Sequence, residues 1–353
     1  MLENPIVLRP LRLVELLDAA FRLYRRNFLT FVGIMAIMQI PVSLLNMGAS
    51  ITTLVGTKQL ASTGQFNQNY FLGLGGIFFT GIISFFLVQG LASAALSRSI
   101  SASYLGARSG VIESYQKLRP SASNLLLSLL FAGLVSLGIS IWTFIPCIGW
   151  LSGVGMGLYF TFVVIQLLVP IVVLEKRGPV SALRRAWQLA RQRFWWLLGL
   201  VGIMYLLNLV LIGPGLILNY ALGFAMQGSV NTPNFATSGT ISTLVSSLVS
   251  MLVGILYHPL QLSVMVLTYF DLRVRSEGLD LALQSSTGSE HPDPLESLAA
   301  APAAPEEKPL IKGMEFGYFV SASLGGILLI GLAYGLVIGI LLGLSAFFGS
   351  GGF

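Results

Sequence analysis

The chain has 353 residues, 55% of them hydrophobic and 10% charged, with a mean hydropathy of +0.82 and a formal net charge of +6. A soluble domain keeps about a quarter of its residues charged to hold water at its surface, so this composition excludes an ordinary soluble enzyme and makes lipid the solvent. A single cysteine, Cys147, excludes an internal disulfide and a thiolate metal cluster.

The opening MLENPIVLRPLRL has acidic and proline residues and no apolar core ending in small residues, so no cleaved signal peptide is expected there. The first predicted element, 11–26, is an amphipathic helix: Arg12, Glu15, Asp18, Arg22, Arg25 and Arg26 recur every three or four residues, opposite Leu13, Leu16, Leu17, Ala20, Phe21 and Tyr24. Apolar stretches of about 20 residues, the length a helix needs to cross hydrocarbon, follow at 28–48 and 71–95. A short polar-apolar segment near 109–121 leads into spans at 124–145 and 151–174. A third amphipathic segment, near 179–193, sets Arg184, Arg185, Gln188, Arg191 and Gln192 against Leu183, Ala186, Trp187 and Ala190. It leads into 194–220 and 243–270, which carry the breakers Gly213-Pro214-Gly215 and Pro259. Residues 276–313, rich in Ala, Pro, Ser and Glu, cannot bury a core and are expected to form a flexible cytoplasmic linker. The last unit, 314–353, holds a seventh span at 317–348.

The expected architecture is therefore an all-α polytopic integral membrane protein. A six-span domain over 1–275 comprises three units, each an interfacial helix followed by a transmembrane hairpin, and one extra C-terminal transmembrane helix is added. Two of the units also align: AFRLYRRNFLTFVG (20–33) matches AWQLARQRFWWLLG (186–199) at Ala20/Ala186, Leu23/Leu189, Arg25/Arg191, Phe28/Phe194 and Gly33/Gly199, the mark of a parallel duplication. A helix entering a membrane gathers basic and aromatic residues in any case, and that reading also fits. Nineteen of the twenty Lys and Arg residues fall on one side of the seven spans, with only Lys58 opposite. The positive-inside bias makes that side cytoplasmic, with the N-terminus inside, the C-terminus outside and 49–70, 146–150 and 221–242 external. The expected partners of this charge are anionic headgroups of the cell membrane, through Arg22, Arg25, Arg26, Arg184, Arg185, Arg191 and Arg193, and not nucleic acid.

The segments LRPLRLVELLDAAFRLYRRNF, RRAWQLARQRFWWLLG and TYFDLRVRSEGLDLAL resemble the bacterial glycerophosphoryl diester phosphodiesterase membrane-domain family over about 8–284. The resemblance implies an all-helical membrane domain, which in that family is sometimes joined to a phosphodiesterase barrel. The histidine and carboxylate patterns of that barrel are missing here, so no activity is implied.

No catalytic constellation, metal site or cofactor motif can be assembled. The two histidines are His258, in the sixth span, and His291, in the linker, and no acidic residue lies mid-span. Neutral polar residues do enter the spans: Gln39, Gln89, Gln166, Asn208, His258 and Gln261. Two readings fit them: a polar cavity for a headgroup or small solute, or hydrogen-bonding glue between helices worth about 1 kcal/mol or less per contact. Cys147, in the turn WTFIPCIGW, is expected to be a packed small residue. In the seventh span Gly331, Gly335, Gly339 and Gly343 recur every four residues, a face on which two helix backbones can approach closely. The functional expectation is a non-enzymatic membrane domain acting as scaffold, accessory subunit or lipid-organising protein, paired through the seventh span with a second copy or another membrane protein. The alternative is a carrier of a lipid or small solute.

Overall fold

A computed structural model describes residues 9–107, 109–225, 234–286, 295, 298 and 313–349. All regular structure among them is helical. Six of these helical stretches are long and apolar enough to cross a membrane: Phe28–Thr63, Gln68–Tyr104, Val111–Thr143, Ile148–Leu174, Phe194–Gly215 and Gly239–Glu277. The chain is a multi-pass membrane protein.

In chain order the helices are α1 (Leu13–Arg26), α2 (Phe28–Thr63), α3 (Gln68–Ser84), α4 (Ser93–Tyr104), α5 (Val111–Gln116), α6 (Ala122–Thr143), α7 (Ile148–Tyr159), α8 (Ile165–Leu174), α9 (Pro179–Gln192), α10 (Phe194–Ala225), α11 (Asn234–Glu277), α12 (Leu279–Ser286) and α13 (Gly313–Gly349). Over 13–277 the order short helix, long helix, long helix recurs three times. The second long helix is interrupted twice by a π segment and the third time carries a proline within a continuous helix. α3 passes into α4 through a π-helical Phe85–Ala92, α7 into α8 through a π-helical Phe160–Val164, and α11 contains Pro259. At the first π segment a side chain adds to the local backbone bonding. Ser93 Oγ donates to the Val88 carbonyl, five residues back, at 3.0 Å.

The breaks also mark a change of surroundings. Large exposed apolar side chains crowd α2, α3, α6, α10, the first half of α11 and α13, and stop at Ile82, Leu151 and Leu256 on the second long helices. Beyond those points α4, α8 and the end of α11 carry none. The Ile148–Leu174 span is the central one: 72% of its most apolar stretch is buried, against 11–28% in the other five. The apolar run of α8 is therefore a protein core and not a lipid-facing surface.

Two short helices wrap this core. α1 runs antiparallel to the end of α11: the Leu11 N–H donates to Asp271 Oδ1 at 2.7 Å, and the Tyr24 hydroxyl to the Leu256 carbonyl at 2.8 Å. α9 runs back along α8, with the Tyr159 hydroxyl donating to the Ala190 carbonyl at 2.7 Å. Their apolar faces, Leu16 and Ala20, then Ala182, Ala186 and Leu189, are buried against protein.

Several boundaries differ from the expectation. The external loop expected at 49–70 shrinks to Gly64–Asn67, because α2 continues to Thr63. Its Thr- and Gly-containing end reads as a loop, yet Thr52, Thr53 and Thr57 each donate to the carbonyl four residues back. The chain then fits against α3, since a Cβ on Gly56 or Gly73 would collide with the backbone of Tyr70 or Thr53. Gly64 ends the helix in the left-handed region, φ 69°. The segment expected near 109–121 is the short α5 followed by a 3₁₀ turn at Arg119–Ser121. Cys147 is exposed, not packed, at the tip of the α6–α7 turn with φ 65°. Within the expected linker the two described residues, Leu295 and Leu298, are helical and buried, and Arg273 Nη1 donates to the Leu298 carbonyl at 3.4 Å; most of 287–312 lies outside the described residues. The external segment expected at 221–242 and His291 lie partly or wholly outside the described residues.

Candidate functional site

The most polar buried region lies where the ends of α8 and α11 meet the middle of α9. The sequence FDLRVRSE holds two interleaved pairs at helical spacing, Asp271 with Arg275 and Arg273 with Glu277. Both close: Arg275 Nε donates to Asp271 Oδ2 at 2.9 Å and Arg273 Nε to Glu277 Oε2 at 2.9 Å. Arg273 is 1% exposed, and its Nη1 also donates to the Tyr269 hydroxyl at 3.0 Å. That hydroxyl donates in turn to Glu175 Oε1 at 3.0 Å. Arg185 of α9, 2% exposed, completes the circuit by pairing with Glu175 (3.3 Å) and with Glu277. The arrangement ties the ends of α8 and α11 to the middle of α9. Buried charges cost several kcal/mol each in desolvation and persist only when fully paired.

This circuit was not anticipated, though the i,i+4 acid–base pairs at the end of a span were its signal. It changes the account of the basic residues. Arg22, Arg25 and Arg26 are exposed on one face of α1, with no ion pair among the described residues. Arg184 is exposed as well. Arg185, expected against lipid, is instead enclosed by Glu175 and Glu277, because α9 turns that side toward α8 and α11. Arg191 lies 3.8 Å from Glu315 of α13, and Arg193 lies 3.7 Å from Asp271.

The polar residues of the spans are distributed, not gathered. Gln39 and His258 both come up to Gly254: the Gln39 amide would lie 3.1 Å from a Cβ added there, and His258 Nδ1 lies 3.0 Å from the Gly254 carbonyl. Gln39 Nε2 donates to Ser43 Oγ at 3.1 Å, leaving its buried Oε1 without a partner. Gln89 lies within the first π segment, Gln166 two residues after the second, Gln261 two residues after Pro259, and Asn208 on α10, all half-buried. Among the described residues no hydrogen bond joins these four to Gln39 or His258. Surface grooves among the described residues include one of about 220 Å³ between α6 and α7, lined by hydroxyls and glycines such as Ser140 and Gly153, and an apolar one of about 530 Å³ between α3 and α6. Neither is lined by Gln39, Gln166 or His258.

Among the described residues, α13 is held to α7 through its first part. Gly155 of α7 sits against the Phe319 carbonyl, and its N–H donates to Ser323 Oγ at 2.6 Å. Phe319 and Tyr318 join an aromatic cluster with Tyr159, Trp187, Phe194 and Trp195. Farther along, Gly331, Gly335, Gly339 and Gly343 are exposed, with nothing within 4 Å of an added Cβ.

A family described as a domain of unknown function, DUF7847, matches residues 11–271. The chain belongs to that family. The match covers all six apolar spans except the last few residues of α11 and stops before α13, and nothing in it bears on the glycerophosphoryl diester phosphodiesterase resemblance. No curated protein and no solved structure matches the chain.

Proposed function

We propose that this DUF7847 protein is a non-enzymatic membrane domain that serves as a scaffold or accessory subunit in a membrane assembly, with α13 as the helix that engages the partner. The observation that carries this reading is the divided surface of α13. Its first part is fixed to α7 through Gly155, Ser323 and Phe319, while Gly331, Gly335, Gly339 and Gly343 stand on an open face. Glycine costs roughly 1 kcal/mol per residue against Ala in a helix in water, so four in register ask for a compensating contact. Closely approaching backbones supply one where lipid gives no hydrophobic drive.

In this reading α13 is the seventh span, the nineteen basic residues face the cytoplasm and the C-terminus lies outside. Arg22, Arg25 and Arg26 meet anionic lipid, and the three-unit core arose by duplication, with kinship to the glycerophosphoryl diester phosphodiesterase membrane domains. Gln39, packed against Gly254, acts as glue between α2 and α11. A carrier would instead place a cavity at Gln39 and His258. The test is mild-detergent extraction from native membrane followed by mass measurement of the intact complex. A homo-oligomer or a stable heteromeric partner is expected. Monomer alone, at concentrations where the helices remain folded, would refute the proposal.

A further inference from the structure

We propose that Arg193 and Arg275 form a binding site for a phosphoryl anion, the phosphodiester of an anionic lipid headgroup or free phosphate, built on the buried carboxylate of Asp271. The site lies at the α9–α10 junction, beside the end of α11 and the start of α1. The proposal rests on the reading of the chain as a membrane domain with its basic side against anionic lipid, and deepens it.

Asp271 is 2% exposed and its oxygens are already occupied. Oδ1 accepts from the Leu11 N–H at 2.7 Å, and Arg275 Nε bridges Oδ1 and Oδ2 at 3.0 and 2.9 Å. Arg193 approaches the same carboxylate, but its Nη1 remains 3.7 Å from Oδ2. That is too long for a hydrogen bond. The Nη1 atom is buried without a hydrogen-bond partner. A guanidinium carries five donors, and none of those on Arg193 donates to a described residue. The group is held in place all the same, by its charge attraction to Asp271 and by the Trp196 ring 4.6 Å beneath it. Arg275 is tied down by Asp271 and by its Nη2, which donates to the Leu11 carbonyl at 2.7 Å.

Two arginine side chains, each 34% exposed, thus share one fully enclosed carboxylate, an uncompensated positive charge with unused donors. Arg9 and Arg12 stand on either side of the anchored Leu11, with Glu15 as their only acidic neighbour on α1 within hydrogen-bonding reach among the described residues. The Arg193 side chain is one-third exposed, and a planar guanidinium whose donors have no partner among the described residues suits two oxygens of a tetrahedral phosphoryl group. Trp195, half exposed, and Tyr318 beside it have the character of residues at the headgroup level.

The test uses the full chain, purified in mild detergent and then placed in nanodiscs of phosphatidylcholine alone or with phosphatidylglycerol. Lipid retention is read by native mass spectrometry, and the melting temperature by tryptophan fluorescence. Wild type should retain phosphatidylglycerol in preference to phosphatidylcholine and melt higher with it. Arg193→Gln should reduce that retention about tenfold, the expected effect of losing a charge-assisted contact, and Arg193→Lys should lose much of it while keeping the charge. Both should melt like wild type in phosphatidylcholine alone, which separates loss of the site from loss of the fold. Inorganic phosphate that stabilises the wild type and displaces the lipid, an effect absent in Arg193→Gln, would assign the site to free phosphate. Equal retention by wild type and Arg193→Gln, without a phosphate effect, would overturn the proposal. The assembly reading is unaffected by that result, because it is read from the protein mass of the complex.

Discussion

At the scale of single residues, burial decides which charges matter. Arg185 and Arg22 look alike in the sequence, each an arginine on an amphipathic helix before a span. Arg185 is enclosed with Glu175 and Glu277, whereas Arg22 is exposed. Removing one member of a buried pair leaves an uncompensated charge and costs about 3–5 kcal/mol. Arg185→Ala should therefore lower the thermal unfolding temperature sharply, and Arg22→Ala should leave it within about 0.5 kcal/mol of wild type. Glu15 shows a pH effect. Its Oε2 accepts from the Arg12 N–H at the start of α1, which with the nearby Arg9 and Arg12 charges holds its carboxyl below the usual 4.5. A depressed carboxylate contributes stability present above its unfolded pKa and lost as pH falls through the folded one. Hydrogen exchange at the first turn of α1 should thus be protected at neutral pH and lose that protection only as pH falls below the usual glutamate range, and Glu15→Gln should remove the dependence. The periodicity of 11–26 and 179–193 showed that these were amphipathic helices, but not which basic residue turns inward. That depends on α8 and α11, far away in the chain.

At the scale of elements, hydrophobicity revealed the spans and concealed their lengths. The α2 helix exceeds its apolar stretch because hydroxyls bonded to their own backbone and glycines fitted to α3 replace apolar packing, and neither raises hydropathy. The π segments are invisible for a related reason: FFLVQGLA and FTFVV are as apolar as the helices around them. Period alone cannot separate a lipid-facing helix from a buried one, so α8 read as part of a span and is the centre of the core. The glycine face of α13 was legible. The glycine that holds α13, Gly155, was not, since SGVGMG offers three candidates and only the packed structure selects one. Gly155→Val would drive a side chain into the Phe319 carbonyl. It should detach α13, measured as faster proteolysis around Ser323, while Gly335→Ala should not.

At the scale of the whole molecule, two claims are open to measurement. The orientation argument uses the native cysteine directly: Cys147 is exposed at the α6–α7 turn, on the side assigned to the exterior. A membrane-impermeant maleimide added to intact cells should label it. It should miss a cysteine at exposed Gln116, at the end of α5, in a Cys147→Ser background, and the reverse pattern would invert the topology. The central claim is assembly through the open face of α13, and its most direct measurement is the intact mass of the complex extracted from native membrane, for wild type and for Gly335→Leu with Gly339→Leu. Two leucines would fill the space where a partner's backbone must approach, far from the Gly155–Ser323 contact that holds α13 to its own chain. The account predicts that the double variant runs at monomer mass with the melting temperature of the six-span body retained. A double variant that keeps the wild-type partners and mass would contradict it and leave that glycine face to lipid.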